Sequence, residues 1–137
     1  MKPLVIDASV AVKWFIPEAG SIAAVKLLDD RKQLIAPDLI YPEVGNIFWK
    51  LCGRRLLTDD EAFEIANSFL ALPLEIYNSR ILLAGALEIA AATGRTVYDS
   101  LYLALAVEND CVMVTADKRL ANALKNTDFA RFIKLLS

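Results

Sequence analysis

Two stretches of this chain are apolar at almost every position, and each leads into an acid. Pro3-Leu4-Val5-Ile6 runs straight into Asp7. Cys111-Val112-Met113-Val114 passes through Thr115 and Ala116 to Asp117. A strand with one face in water alternates apolar and polar residues, whereas a run without alternation is buried on both faces, as in a parallel sheet covered by helices. Further short runs at Gln33–Ala36, Leu74–Tyr77 and Phe132–Leu135 are separated by longer helical stretches. That alternation is the pattern of an α/β fold with a parallel sheet. The 137 residues fit one domain, 1–137, without repeat, low-complexity tract or linker.

The connecting helices have recognisable ends. A short helix is expected near Val10–Phe15, and Ser21 is expected to cap a second one reaching Arg31. Asp38 should cap a third that runs to Leu51, with Pro42 tolerated in its first turn, where backbone donors lack partners. Thr58-Asp59-Asp60-Glu61 is a capping box opening a helix to Ala71. Ile81–Thr93 is closed by Gly94, suited to a left-handed cap. Asp99 opens a helix to Glu108, and Asp117 one to Lys125.

Composition removes several chemistries. The chain has no histidine, so a Ser-His-Asp triad, a histidine base and histidine-held zinc are all excluded. Cys52 and Cys111 match no zinc or redox spacing and read as core thiols. No run is long enough to span a membrane: Ile81–Ala92 is short and contains Glu88. Asp7 interrupts the only candidate for a leader, and a cytoplasmic location is expected. An apolar fraction of 56% suggests that part of the surface is covered by a partner or a second copy.

Ligand sites in open parallel sheets lie beyond the carboxyl ends of the strands. Asp7 and Asp117 follow two such strands, and Glu43 lies about one turn into the helix after strand two. Asp99 has no comparable placement from pattern alone. Each acid has a plain alternative: Asp7, Asp99 and Asp117 as helix N-caps, Glu43 as a solvated helix residue. Caps do not need to cluster, however, and two carboxylates ~4 Å apart at an effective dielectric of ~20 repel by about 4 kcal/mol. Four acids at one cleft would require cations, and oxygen donors suit hard divalent ions, Mg²⁺ or Mn²⁺. Such ions activate water and clamp phosphate oxygens. Setting the four acids aside turns a net charge of −2 into +2 for the rest, which weakens the objection to a polyanionic substrate if the acids hold a metal. Ser9, Thr115 and Asn46 are placed to orient the acids, with local turn and cap bonding as the alternative.

At these residues the sequence resembles the PIN-domain family, and within it the VapC-type toxins. The matching stretches are Ile6-Asp7-Ala8-Ser9-Val10 with Lys13-Trp14-Phe15, Ala36-Pro37-Asp38-Leu39 leading to Glu43 and Asn46, Thr96 to Ala106 around Asp99, and Val114-Thr115-Ala116-Asp117-Lys118-Arg119-Leu120. They span nearly the whole chain in the family's order. Pro42 and Gly45 beside Glu43 depart from the usual pattern.

The resemblance implies a three-layer α/β/α sandwich around a parallel sheet of order 3-2-1-4-5. It implies a Mg²⁺- or Mn²⁺-dependent endoribonuclease whose metal-binding, catalytic acids are Asp7, Glu43, Asp99 and Asp117, supported by Ser9, Asn46 and Thr115. It also implies a homodimer and a small antitoxin protein that blocks the site. The expected reaction is in-line attack of a metal-activated water on an RNA phosphodiester, leaving a 5′-phosphate and a 3′-hydroxyl. Lys13, Arg54, Arg55, Lys118 and Arg119 are candidates for holding the RNA backbone, and Trp14, Tyr98 and Tyr102 for stacking bases. The alternatives are a housekeeping RNA-processing nuclease or a catalytically silent scaffold that binds protein or RNA. A phosphate-accepting receiver would need an acid after strand three, where Asn78-Ser79 stand. A haloacid-dehalogenase-like phosphatase would need a second acid at Ser9.

Overall fold

In the computed structural model, which describes residues 2–29 and 32–137, the two non-alternating apolar runs lie side by side. β1 (Leu4–Ile6) and β4 (Val112–Thr115) pair in parallel, with Leu4 opposite Val112 and Ile6 opposite Val114. Val5, Ile6, Met113 and Val114 are all buried. β2 (Leu34–Pro37) flanks β1, β3 (Glu75–Tyr77) flanks β2, and β5 (Ile133–Leu135) flanks β4. The result is a five-stranded parallel sheet of order β3-β2-β1-β4-β5, as the family resemblance implies.

The remaining elements are α1 (Ala8–Ala11), continued by a 3₁₀ turn at Val12–Trp14, then α2 (Ser21–Asp29), α3 (Ile40–Gly53), α4 (Asp59–Leu70), α5 (Ser79–Thr93), α6 (Val97–Glu108) and α7 (Lys118–Leu124). The path β1→β2→β3 moves one way across the sheet and β3→β4→β5 moves back. Right-handed crossovers therefore place α1–α4 on one face and α5–α7 on the other. α6 lies against β1, β2 and β4. Every residue from Ser100 to Ala106 is buried, which marks a helix enclosed all round. Among the described residues no single helix is long and apolar enough to cross a membrane.

Local chemistry sets most helix ends. The Thr58 capping box is complete: the Thr58 amide donates to Glu61 Oε1 at 2.9 Å, and the Glu61 amide donates to Thr58 Oγ1 at 3.1 Å. Gly94 ends α5 with φ +74°, and the chain bends by 113° into α6. α5 begins two residues earlier than the pattern suggests, because the Asn78 side chain caps it by accepting from the Arg80 amide.

Four expected ends are corrected. The first helix starts at Ala8 rather than Val10, because the Asp7 carboxylate caps it by accepting from the Val10 amide. Ser21 does not cap α2: it is that helix's first residue, and its hydroxyl ties down the preceding loop, accepting from the Glu18 amide and donating to the Ile16 carbonyl. The expected end of α2 at Arg31 lies outside the described residues. Asp38 does not cap α3, which starts from Leu39 without a side-chain cap. Its carboxylate accepts instead from the amide and hydroxyl of Ser79, at the start of α5. Asp99 does not open α6, because Thr96 does, accepting from the Asp99 amide at 3.1 Å.

Gly94 offers a direct check on this account. A Cβ there would meet no neighbouring atom, so Gly94→Ala changes only the cost of the left-handed backbone. Urea denaturation should show a loss of about 1 kcal/mol, without change in the far-UV spectrum.

Candidate active site

At the carboxyl edge of the sheet the connections part, one leaving β1 toward the first face and the other leaving β4 toward the second. Crevices at such points hold the ligands of open α/β sheets. Here the cleft is lined by Asp7, Ala8, Ser9, Glu43, Asn46, Ile47, Lys50, Asp99, Tyr102 and Asp117. All four acids singled out from sequence line it, although they come from β1, α3, α6 and the start of α7.

Asp7 is only 7% exposed. Its Oδ1 accepts from the Ser9 hydroxyl at 2.6 Å and the Val10 amide at 3.1 Å, and its Oδ2 accepts from the Thr115 hydroxyl. Burial pushes the carboxyl up to about 6, against the pull of those three hydrogen bonds and with a further push from Glu43. Asp117 Oδ1 caps α7, accepting from the Arg119 amide at 3.0 Å and the Leu120 amide at 3.2 Å. For Asp7 and Asp117, capping and lining the cleft are thus compatible.

Glu43 and Asp99 are half-buried. Tyr102 donates its hydroxyl to Glu43 Oε1 at 2.6 Å. Arg95 Nη2 lies 3.7 Å from Asp99 Oδ2. Burial raises the Glu43 carboxyl, opposed by Tyr102 and reinforced by the charge of Asp99. Burial also raises the Asp99 carboxyl, opposed by Arg95 and reinforced by Asp117. Repulsion therefore runs in series along the cleft: Glu43 raises Asp7, Asp99 raises Glu43 and Asp117 raises Asp99. Even so, no three His, Cys, Asp or Glu side chains among the described residues are grouped closely enough to hold a metal ion as they stand.

Ser9 and Thr115 behave as expected of groups that orient an acid. Ser9 Oγ donates to Asp7, lies 3.4 Å from Thr115 Oγ1 and accepts from the Ala116 amide at 2.9 Å. Asn46 lines the cleft one turn beyond Glu43, but none of the hydrogen bonds that hold the acids comes from it.

The basic and aromatic candidates divide. Lys118 and Arg119 are exposed beside Asp117. Arg54 and Arg55 are exposed at the far end of α3, eleven residues and about 16 Å along the axis from Glu43, and do not line the cleft. Lys13 is not a free cation: its largely buried ammonium donates to Glu18 Oε1 at 3.0 Å and to the Ala19 carbonyl at 2.7 Å. Tyr102 is buried and cannot stack a base. Trp14 is half-buried, with its indole N–H on the Ala24 carbonyl at 2.8 Å. Tyr98 is exposed.

Two residues around the acids, Lys50 and Arg95, were not identified from sequence, and a third, Tyr102, was expected to stack a base rather than to bond Glu43. Lys50 follows Glu43 by seven residues, Tyr102 follows Asp99 by three, and Arg95 precedes Asp99 by four. Each spacing puts the pair on one helix face or turn. The signal was present, but only tertiary packing shows which face meets the cleft.

A family model for the PIN domain matches residues 4–126. The chain belongs to the PIN-domain family. It is similar to ribonuclease VapC3 of Pyrobaculum aerophilum, at 36% identity over 122 residues, covering 86% of this chain and 92% of that protein. Among solved structures it is similar to PAE2754 of the same organism, with a TM-score of 0.67, 25% identity and coverage of 92% of this chain and 82% of the other. It shares the fold of Mycobacterium tuberculosis VapC20, a toxin that cleaves the sarcin-ricin loop, with a TM-score of 0.64 at 16% identity and coverage of 88% and 95%.

Asp7 gives this site a signature in stability. A carboxyl raised to about 6 in the folded state binds its proton more tightly there than when unfolded. Its favourable contribution is complete below pH 4 and is lost as pH rises through 6. In EDTA, Asp7→Asn, which cannot ionise, should therefore gain on wild type as pH rises from 4.5 to 8, by about 2 kcal/mol. Parallel urea melts at the two pH values measure this.

Proposed function

We propose that this chain, acting as a single PIN domain, is a metal-dependent endoribonuclease that serves as the toxin of a toxin–antitoxin pair. The observation that carries the reading is the convergence of four acids from four separate elements on the switch point of the sheet. Kinship with a named ribonuclease and with a VapC toxin fold supports it.

The donor set fits Mg²⁺ or Mn²⁺, since it offers carboxylate oxygens and neither thiolate nor imidazole. Asp7, Glu43, Asp99 and Asp117 would hold the ion, whose charge would offset the serial repulsion and draw the four together. When bound, a hard divalent ion lowers the pKa of water and polarises phosphoryl oxygens. The chain's own residues supply the rest. Ser9 and Thr115 fix the rotamer of Asp7, and Asp117 is held by the amides of α7. Lys50, on the cleft wall, offers positive charge to a backbone phosphate, with Lys118 and Arg119 at the rim. Exposed Tyr98, next to Asp99 in sequence, is the aromatic available to stack a base.

The same reading supplies partners. Trp49 and Phe63 are exposed at 70% and 68% and line one apolar groove between α3 and α4. Ile81, Leu83 and Leu87 of α5 are more than half exposed. Surface of this kind supports an antitoxin protein and a second copy of the chain as its covers, in the cytoplasm.

The test is cleavage of a mixed RNA pool with Mn²⁺ and with EDTA. Wild type should cleave only with the metal and leave 5′-phosphate ends, and Asp99→Asn should reduce the rate at least about 100-fold. Cleavage that persists in EDTA or in the variant would refute the assignment. A second expectation concerns folding: millimolar Mn²⁺ should raise the melting temperature of wild type and leave that of Asp99→Asn unchanged, as read by differential scanning calorimetry.

A further inference from the structure

Tyr102, like Thr115, is an enclosed polar group that reaches an acid of the cleft from the core. It is 3% exposed and sits on α6 among Leu101, Leu103 and Leu105, where a hydroxyl would be costly without a partner. Its partner is Glu43 Oε1, 59 residues away, at 2.6 Å. Phenylalanine would fill the same space, so packing alone does not explain the hydroxyl. Tyr102 is the hydrogen-bond donor that Glu43 has among the described residues, as Arg95 at 3.7 Å is the cation beside Asp99. Asp7 has three donors and Asp117 has two backbone amides, whereas Glu43 has the longest side chain, stands on the surface of α3, and has Pro42 before it.

We infer that Tyr102 is a positioning residue: by donating to Oε1 it fixes the Glu43 side chain so that Oε2 is presented to the cleft, one helical turn from Asp99 on the same α6. The ring is immobilised by the core, so its position is set when the chain folds, before any ion arrives. α6 thereby contributes one acid directly and orients a second from across the cleft. Outer partners of this kind, when removed, lower metal affinity or activity 10–100-fold. The inference rests on the reading of the cleft as a metal-dependent nuclease site.

The experiment is a double-mutant cycle read by calorimetric titration with Mn²⁺ alone, on wild type, Tyr102→Phe, Glu43→Gln and the double variant, with urea melts in EDTA to confirm folding. Tyr102→Phe should bind Mn²⁺ about tenfold more weakly and lower kcat on RNA with KM unchanged. In the Glu43→Gln background it should change neither. An undiminished affinity, or an equal loss in both backgrounds, would overturn the inference and leave Tyr102 a packing residue. Wild type that takes up no Mn²⁺ would overturn the metal reading itself, and the role of Tyr102 with it. Should Tyr102→Phe fail to fold, Glu43→Asp reads the bond from the other end. It keeps the charge but withdraws the carboxylate from the hydroxyl, and an affinity equal to wild type would again refute the proposal.

Discussion

Asp7 stands at the point where a strand leaves the core, and the carboxyl edge of the sheet is organised around carrying it. Its chain neighbours Val5 and Ile6 are fully enclosed, so water can supply little of its solvation. Ser9, Thr115 and the Val10 amide supply it instead. Thr115 is present because β1 and β4 pair with Ile6 opposite Val114, which brings the next residue of each strand together. A slip of one residue would turn Thr115 to the other face of the sheet and leave the acid without that donor. Strand register, helix capping and the electrostatics of the cleft are in this sense one constraint. Ser9 also accepts from the Ala116 amide, which ties the ends of both strands to the same acid.

What could be read from the sequence was what local chemistry decides. Non-alternating runs announced buried parallel strands, Thr58 and Glu61 announced a capping box, and Gly94 announced a left-handed helix end. The acids at strand ends announced the cleft. Errors arose where two local solutions compete or where a distant segment chooses. Asp38 has the composition of a cap, but Ser79, 41 residues away, takes its carboxylate. Asp99 resembled a cap too, yet Thr96 three residues earlier holds the role and frees Asp99 for the cleft. Lys13 looked like a free cation until the loop after Pro17 folded back and brought Glu18 to it. The spacing of Tyr102 from Asp99 gave its helix face, but its partner on α3 belongs to the tertiary structure alone.

The two walls of the cleft differ in kind. One is core: β1, β4 and α6 present Asp7, Thr115 and Tyr102, each buried and bonded. The other is surface: α3 and the first turn of α7 present Asn46, Lys50, Lys118 and Arg119, exposed and free to change without disturbing the packing. Glu43 and Asp117 are carried on the second wall too, but each is tied down, Glu43 by Tyr102 and Asp117 by the amides of α7, so the exposed residues around them can vary while the acids are kept, as expected when function is grafted onto the edge of a stable scaffold.

The enclosure of α6 has a further consequence, in the order in which parts of the molecule come undone. Amide protons from Ser100 to Ala106 can exchange with solvent only when the central layer opens, and such helices exchange at free energies close to that of global unfolding. The segment that positions Tyr102, and on which Asp99 is carried, is therefore among the last to loosen. The core wall of the cleft is thus as durable as the fold itself, and what can move at the cleft without unfolding the domain is the half-exposed side chains of Glu43 and Asp99 and the exposed ones of Asn46 and Lys50.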